Sequence, residues 1–134
     1  MKLVIVGCSR VGAMVAVALS QRGDDVTVID INRRSFDRLG PDFKGTMLVG
    51  NGIDEDVLRQ AGIETADGFA SLTNGDNRNI MAAQIAKQIY KVPRVVCRIY
   101  DPIREEAYRK LGLEVFCPTI EGSRRVRQML MARK

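Results

Sequence analysis

After the apolar run Leu3-Val4-Ile5-Val6 the chain reads Gly7-Cys8-Ser9-Arg10-Val11-Gly12 and then turns amphipathic. This is G-x-G-x-x-G with serine in the middle place, and its chemistry is anion binding. Gly7 permits a tight turn and Gly12 permits close approach of a helix to a strand. The amides exposed at the helix start receive phosphate oxygens. Ser9 puts a β-carbon where backbone would otherwise press on a pyrophosphate, together with a hydroxyl that could donate to a phosphate. Arg10 adds a fixed positive charge with bidentate capacity. Asp30 ends the next apolar run, where a carboxylate accepts hydrogen bonds from ribose hydroxyls and repels a 2′-phosphate. A packing turn and a helix N-cap are the plainer accounts of the same residues. Arg33 and Arg34 complicate the ribose reading, because arginines just after the acid can hold a 2′-phosphate; with Asp30 in place, NADP is the less favoured ligand. Those guanidiniums can instead stack on adenine or lie in solvent.

Three later segments could extend such a site. Gly50-Asn51-Gly52 is a turn whose amide can read a base edge, or a turn and nothing more. Thr73-Asn74-Gly75-Asp76 offers hydroxyl, amide and backbone groups before a helix start. Arg98 interrupts the apolar run Val95-Val96-Cys97-Arg98-Ile99. A charge there is costly without a partner, so a phosphate or an acidic neighbour is expected, and Asp101 is the nearest candidate.

Composition narrows the chemistry. The chain has 134 residues, 46% of them apolar, which is room for one domain with a real core. Histidine is absent, which removes imidazole catalysis and histidine-ligated metal sites. Cys8, Cys97 and Cys117 are an odd number without a C-x-x-C pair, which suggests reduced, buried thiols. Residues 1–90 hold 10 basic and 11 acidic side chains and residues 91–134 hold 11 and 5, so the net charge of +5 sits in the last third. A basic end can face an anionic partner, but a solvated helix face is the commoner origin. No uncharged run approaches the ~20 apolar residues of a membrane span. The apolar stretch before Cys8 is too short for a signal peptide and is expected to be a buried strand.

The elements that position these residues follow from periodicity. Strands are expected at 3–6, 25–30, 46–49, 68–73, 94–99 and 113–116. Helices are expected at 11–22, 33–39, from about 54, at 76–90, from Pro102 to about 111, and at 119–134. Strand and helix alternate six times without a linker. The expected fold is therefore α/β: a doubly wound, Rossmann-like, six-stranded parallel sheet of order 3-2-1-4-5-6 in a single domain. In such a sheet the ligand lies beyond the carboxyl ends of the strands, at the switch in strand order.

With those residues placed, the chain resembles the TrkA-N (RCK, or KTN) nucleotide-binding domain of potassium-transport regulators, across essentially all 134 residues. The resemblance rests on the G-x-S-R-x-G turn, Asp30, Gly50-Asn51-Gly52 with Asp54, Thr73-Asn74, and Arg98 with Asp101-Pro102. It implies a cytoplasmic sensor of adenine nucleotides, NAD(H) or AMP, ADP or ATP, that controls a membrane potassium channel or transporter subunit. It further implies that Gly7, Cys8, Ser9, Arg10, Val11 and Gly12 form the phosphate turn and that Asp30 holds the ribose. Asn51 and Gly52 would lie at the adenine, Thr73 and Asn74 along the rest of the nucleotide, and Arg98 near a phosphate. Ser9 departs from the glycine often found there, and the C-terminal domain that usually follows is not expected within these 134 residues. Output is then expected to pass through a partner.

The chief rival is an NAD-dependent oxidoreductase, or the isolated cofactor domain of one. Such enzymes use a second domain or a Tyr-x-x-x-Lys pair. Tyr90, Tyr100 and Tyr108 are instead followed, four residues on, by Arg94, Arg104 and Gly112. Nucleic-acid binding would rest on Arg124, Arg125, Arg127, Arg133 and Lys134, but seven aromatics and no stacking motif speak against it. Those arginines are expected to line a helix whose other face, Ile120, Val126, Met129 and Leu130, packs on the sheet or on a second subunit. A homo-oligomer, at least a dimer, is therefore expected.

Overall fold

The β-branched runs become strands because their side chains pack on both faces of a pleated surface. In the computed structural model, which describes residues 1–132, these are β1 (Lys2–Val6), β2 (Asp25–Asp30), β3 (Thr46–Val49), β4 (Gly68–Ser71), β5 (Arg94–Arg98) and β6 (Glu114–Phe116). They form one sheet in the order β3-β2-β1-β4-β5-β6, and every pair is parallel. That is the expected doubly wound order, with the switch between β1 and β4. The register pairs Val6 with both Ile29 and Ser71. Gly7, Asp30 and Leu72 therefore emerge together along one rim.

Alternation along β1 divides the core into two layers. Val4 and Val6 point to one face with Ile29, Leu58, Ile63, Ile80 and Ile99. Leu3 and Ile5 point to the other with Cys8, Ala16, Val26, Val28 and Phe36. The second layer is covered by helix α1 (Arg10–Gln21). The first is covered by α2 (Glu55–Gln60) and α3 (Asp76–Gln84). Each fully buried branched side chain contributes about 1.5–3 kcal/mol relative to exposure.

Three elements differ in detail from the periodicity reading. The short helix over residues 33–39 is a 3-10 helix (Arg33–Leu39). Its three-residue repeat stacks Phe36 and Leu39 above one another on the sheet. The helix over 76–90 is α3 continued by a π-helical turn (Ile85–Ile89). The wider turn keeps Ala86 buried and brings Tyr90 Oη to donate to Glu55 Oε1 at 2.9 Å. The third difference is at the end of the chain. Helix α4 (Pro102–Lys110) returns to β6, whereas α5 (Pro118–Met131) buries none of its residues. Of the two coverings expected for its apolar face, the sheet or a second subunit, the sheet is not the one: β6 is three residues long and α5 leaves it without packing back on it. Arg133 and Lys134 lie outside the described residues.

Candidate nucleotide-binding site

The rim at the switch point opens as a cleft walled by loops from β1, β2, β3 and β4. Gly7 turns the chain out of β1 with φ of +100°, and a β-carbon there would stand 2.7 Å from the Thr73 amide nitrogen. Backbone on backbone cannot yield, so the position requires glycine. Gly12 is held as tightly, with Gly7 O only 2.1 Å from where its β-carbon would be. The turn and α1 are thereby pressed against the ends of β1 and β4.

Ser9 caps α1: its Oγ accepts from Gly12 N at 3.1 Å and donates to Leu72 O at 2.8 Å. Its single hydroxyl hydrogen thus tethers the turn to β4 rather than pointing to a ligand. With Gly12 N satisfied, the amides of Arg10 and Val11 are the first-turn donors without an intrahelical acceptor. The helix dipole concentrates positive potential at the same place. The Arg10 side chain is exposed on α1, and neither Arg10 nor Val11 nor Gly12 is among the cleft walls.

Asp30 closes the cleft on the β2 side. Its Oδ2 accepts from Cys8 N at 2.8 Å and its Oδ1 from Asn32 N at 2.8 Å. The carboxylate is locked in orientation while each oxygen keeps lone-pair capacity for a diol. Ile31, exposed, and Ile53, half-buried, line the same side of the cleft. Asn51 uses its Oδ1 to accept from Ile53 N at 3.1 Å, so the turn holds itself. Gly52 is buried against Val6 with no room for a side chain.

Across the glycine turn, Thr73 and Asn74 form the opposite wall. Thr73 is fixed by Asn79, which is wholly buried on α3. Asn79 Oδ1 accepts from Thr73 N at 2.9 Å and from Thr73 Oγ1 at 2.6 Å, and its Nδ2 donates to Thr73 O and Arg98 O at 2.9 and 3.0 Å. Arg98 lies behind this wall, 3% exposed and outside the cleft. Its Nη2 donates to Leu72 O and Thr73 O at 2.6 and 2.7 Å, and its guanidinium lies 4.7 Å from the centre of the Tyr100 ring. Burial pulls its pKa down, opposed by the charges of Tyr100 and Asp76. Asp101 is not its counter-charge. Asp101 caps α4 by accepting from Ile103 N, and the acid beside Arg98 is Asp76, which accepts from Tyr100 N at 2.8 Å. Backbone carbonyls satisfy Arg98 because two strand ends converge there, which no spacing in the sequence reveals.

Of the residues singled out in the sequence, Gly7, Cys8, Ser9, Asp30, Asn51, Gly52, Thr73 and Asn74 line the cleft together. Arg10, Val11, Gly12 and Arg98 support it from outside. Sequence reasoning missed Ser35, Arg38 and Arg78, which also line it. Ser35 and Arg38 share a face because a 3-10 helix stacks every third residue, and Arg38 Nη1 donates to Cys8 O at 3.0 Å. Arg33, by contrast, lies by the β3 edge. Asn79 carried a readable signal, a polar residue in the stripe with Ala82 and Ala83 that faces the sheet. The Cys8 thiol is fully buried, and burial together with the Asp30 charge pushes its pKa up to about 11. Among the described residues no cluster could hold a metal ion, and no helix is long and apolar enough to cross a membrane.

A parallel sheet wound in both directions, with its cleft above the strand-order switch, makes this a Rossmann-type domain. The chain belongs to the TrkA-N domain family, which matches residues 3–118. It is 46% identical over 133 residues to a Trk system potassium uptake protein TrkA of Streptomyces coelicolor, covering 99% of this chain and 58% of that one. It is 33% identical over 111 residues to a TrkA homolog of Pyrococcus abyssi, covering 83% and 49%. The chain thus spans about half the length of these curated relatives.

Solved structures share the fold at lower identity. The C-terminal domain of a Shewanella denitrificans Kef protein, in an AMP-bound form, superposes with a TM-score of 0.81 at 19% identity, over 98% of this chain and 82% of that one. The TrkA-N domain of the inner membrane protein ybaL of Escherichia coli gives 0.81 at 20%, over 96% and 95%. The GsuK channel bound to NAD gives 0.69 at 18%, over 84% and 20%.

Proposed function

We propose that this chain is an adenine-nucleotide sensor that regulates a membrane potassium channel or transporter subunit from the cytoplasmic side. The observation that carries the reading is the pairing of Asp30 with the glycine turn. Its carboxylate is anchored on Cys8 N at 2.8 Å, so a ribose-binding acid and a phosphate-binding helix start are held at a fixed separation across one cleft. Asp30 takes the adenosine diol, the Arg10 and Val11 amides take a phosphate, and the base lies toward Ile31, Asn51, Gly52 and Ile53. Thr73 and Asn74 follow the ligand past the turn, while Arg98 holds their carbonyls in place. The AMP- and NAD-bound states of proteins with this fold support an adenine nucleotide as ligand. The relatives named as potassium uptake proteins support the transport partner.

Regulation is favoured over catalysis by the side chains of the cleft. Its titratable groups are Cys8, Asp30, Arg38 and Arg78. The first is a buried thiol whose pKa is pushed up to about 11, the second is bound to two backbone amides, and the guanidiniums are donors without acceptor capacity. None is suited to move a proton during hydride transfer. Signalling to a partner requires unequal ligand affinity in two arrangements of the assembly. The uncovered apolar face of α5 supports assembly as a homo-oligomer.

Thermal denaturation of the chain with NAD, NADH, AMP, ADP, ATP and NADP tests the reading. A specific ligand at a hundredfold excess over Kd stabilises by about 2.7 kcal/mol, or several degrees in Tm. A rise with at least one adenine nucleotide, lost in Asp30→Ala, is expected. No rise with any of them overturns the reading.

A further inference from the structure

Beyond the glycine turn, Thr73, Asn74, Arg78 and Ala82 line the cleft, and Arg78 is the only charged residue of the four. Arg78 Nε lies 2.8 Å from where a β-carbon on Gly75 would stand, so the side chain folds back over Gly75 at the mouth of the cleft. It enters no ion pair among the described residues. The nearby acid, Asp76, turns the other way: its two oxygens accept from Tyr100 N and Asp101 N. Asp30, the one acid lining the cleft, stands on the far side of the turn. The order of strands therefore sets out a sequence of charges along the crevice: a carboxylate over β2, helix amides over β1, and an uncompensated guanidinium over β4.

A nucleotide whose ribose sits at Asp30 and whose first phosphate meets the α1 amides extends its next group toward Arg78. We infer that Arg78 is a specificity-determining residue that selects adenosine di- and triphosphates over AMP and over oxidised NAD. This rests on the nucleotide reading above and deepens it. A β-phosphate reaching this wall meets a guanidinium suited to phosphate geometry. AMP leaves that guanidinium unused. Oxidised NAD brings its second phosphate to the same wall as a diester with a single negative charge and follows it with a cationic nicotinamide ring, so it gains less from the guanidinium than a terminal β-phosphate does. Arg38 does not serve the same end, because it is tied to the Cys8 carbonyl on the ribose side.

Calorimetric titration of the whole chain with AMP, ADP, ATP and oxidised NAD at low salt tests this, using the wild type, Arg78→Gln and Arg78→Lys. The side chain is exposed, so both variants are expected to keep the wild-type melting temperature. ADP and ATP should bind about tenfold more tightly than AMP, the scale of one charge-assisted contact at an exposed site. Arg78→Gln should remove that margin and leave AMP within about twofold of wild type, and Arg78→Lys should keep part of it. Equal binding of AMP and ADP by the wild type overturns the inference, as does an equal loss of both in Arg78→Gln. Either result leaves the nucleotide site standing if Asp30→Ala abolishes binding. Failure of all four ligands to bind the wild type overturns the nucleotide reading and this inference together.

Discussion

Asn79 Nδ2 donates to the carbonyl of Arg98 at 3.0 Å, while the Arg98 guanidinium donates to the carbonyls of Leu72 and Thr73. Each residue thus holds the strand end that carries the other's partners, and the wall of the cleft is set by this exchange. Asn79 is fully buried and fills four hydrogen bonds. Replacing it with leucine strands the Thr73 amide and takes the Nδ2 donor from the Arg98 carbonyl. The expected cost is about 2–4 kcal/mol, read as a lower urea midpoint at unchanged m-value. Asn79→Asp should cost more, because it sets a carboxylate against two carbonyl oxygens. A loss below about 0.5 kcal/mol in both variants would show that the network does not hold the wall.

Asp30 offers a cleaner separation of binding from stability. Asp30→Asn keeps the shape of the side chain and one carbonyl acceptor, but removes the charge and one of the two sites that receive Cys8 N and Asn32 N. Affinity for an adenine nucleotide should fall about tenfold or more, with a stability loss near 1 kcal/mol. The wild-type preference for NAD over NADP should shrink as well, since the 2′-phosphate no longer meets a carboxylate. Parallel titrations of both dinucleotides against both proteins check this.

The buried thiols give the fold a defined alkaline limit. Burial pushes Cys8 and Cys97 up to about 11, whereas a thiol in the unfolded chain ionises near ~8.5. Below that range both states hold the proton and the thiols contribute no pH dependence. As pH rises through it, the unfolded chain releases protons that the folded chain retains. The unfolded state then binds fewer protons, so stability falls until about pH 11, by up to about 1.4 kcal/mol per pH unit for each thiol. Urea unfolding at pH 7.5 and pH 10 should show this fall, and a Cys8→Ala, Cys97→Ala double variant should flatten it.

Legibility in the sequence followed the range of the interaction concerned. The six strands could be read from period and alternation, because β-branched runs and glycine stops act within a few residues, while their order followed from the doubly wound fold class. The turn at Gly7 and the acid at Asp30 were equally local signals. The partner of Arg98 was not local. Asp101 is nearest in sequence, yet it spends its carboxylate on the N-cap of α4, and the carbonyls that satisfy Arg98 come from a neighbouring strand. Arg38 was hidden for another reason: its partner, the Cys8 carbonyl, stands thirty residues earlier in the turn after β1, and no local spacing brings the two together. The role of Ser9 shifted as well, since its hydroxyl hydrogen is taken by Leu72 O.

Helix α5 yields the last prediction. Val126, Met129 and Leu130 share a stripe at i, i+3 and i+4 and are 56%, 62% and 81% exposed, while Arg124 pairs with Glu121 at 3.2 Å. A helix of 14 residues that touches so little of its own domain draws little stability from tertiary packing, and isolated helices of that length are marginal in water. The stripe must be covered for the helix to persist, and covering Leu130 alone contributes about 1.5–3 kcal/mol. A second copy presenting the same stripe satisfies both helices at once, in the isologous manner of a two-fold dimer. The chain is therefore expected to self-associate at micromolar concentration. Leu130→Glu should shift it to monomer in light scattering and reduce helical circular dichroism by an amount matching α5. A monomeric wild type with full helical signal at ~50 µM would show that α5 stands without a partner, against the usual length dependence of helix stability.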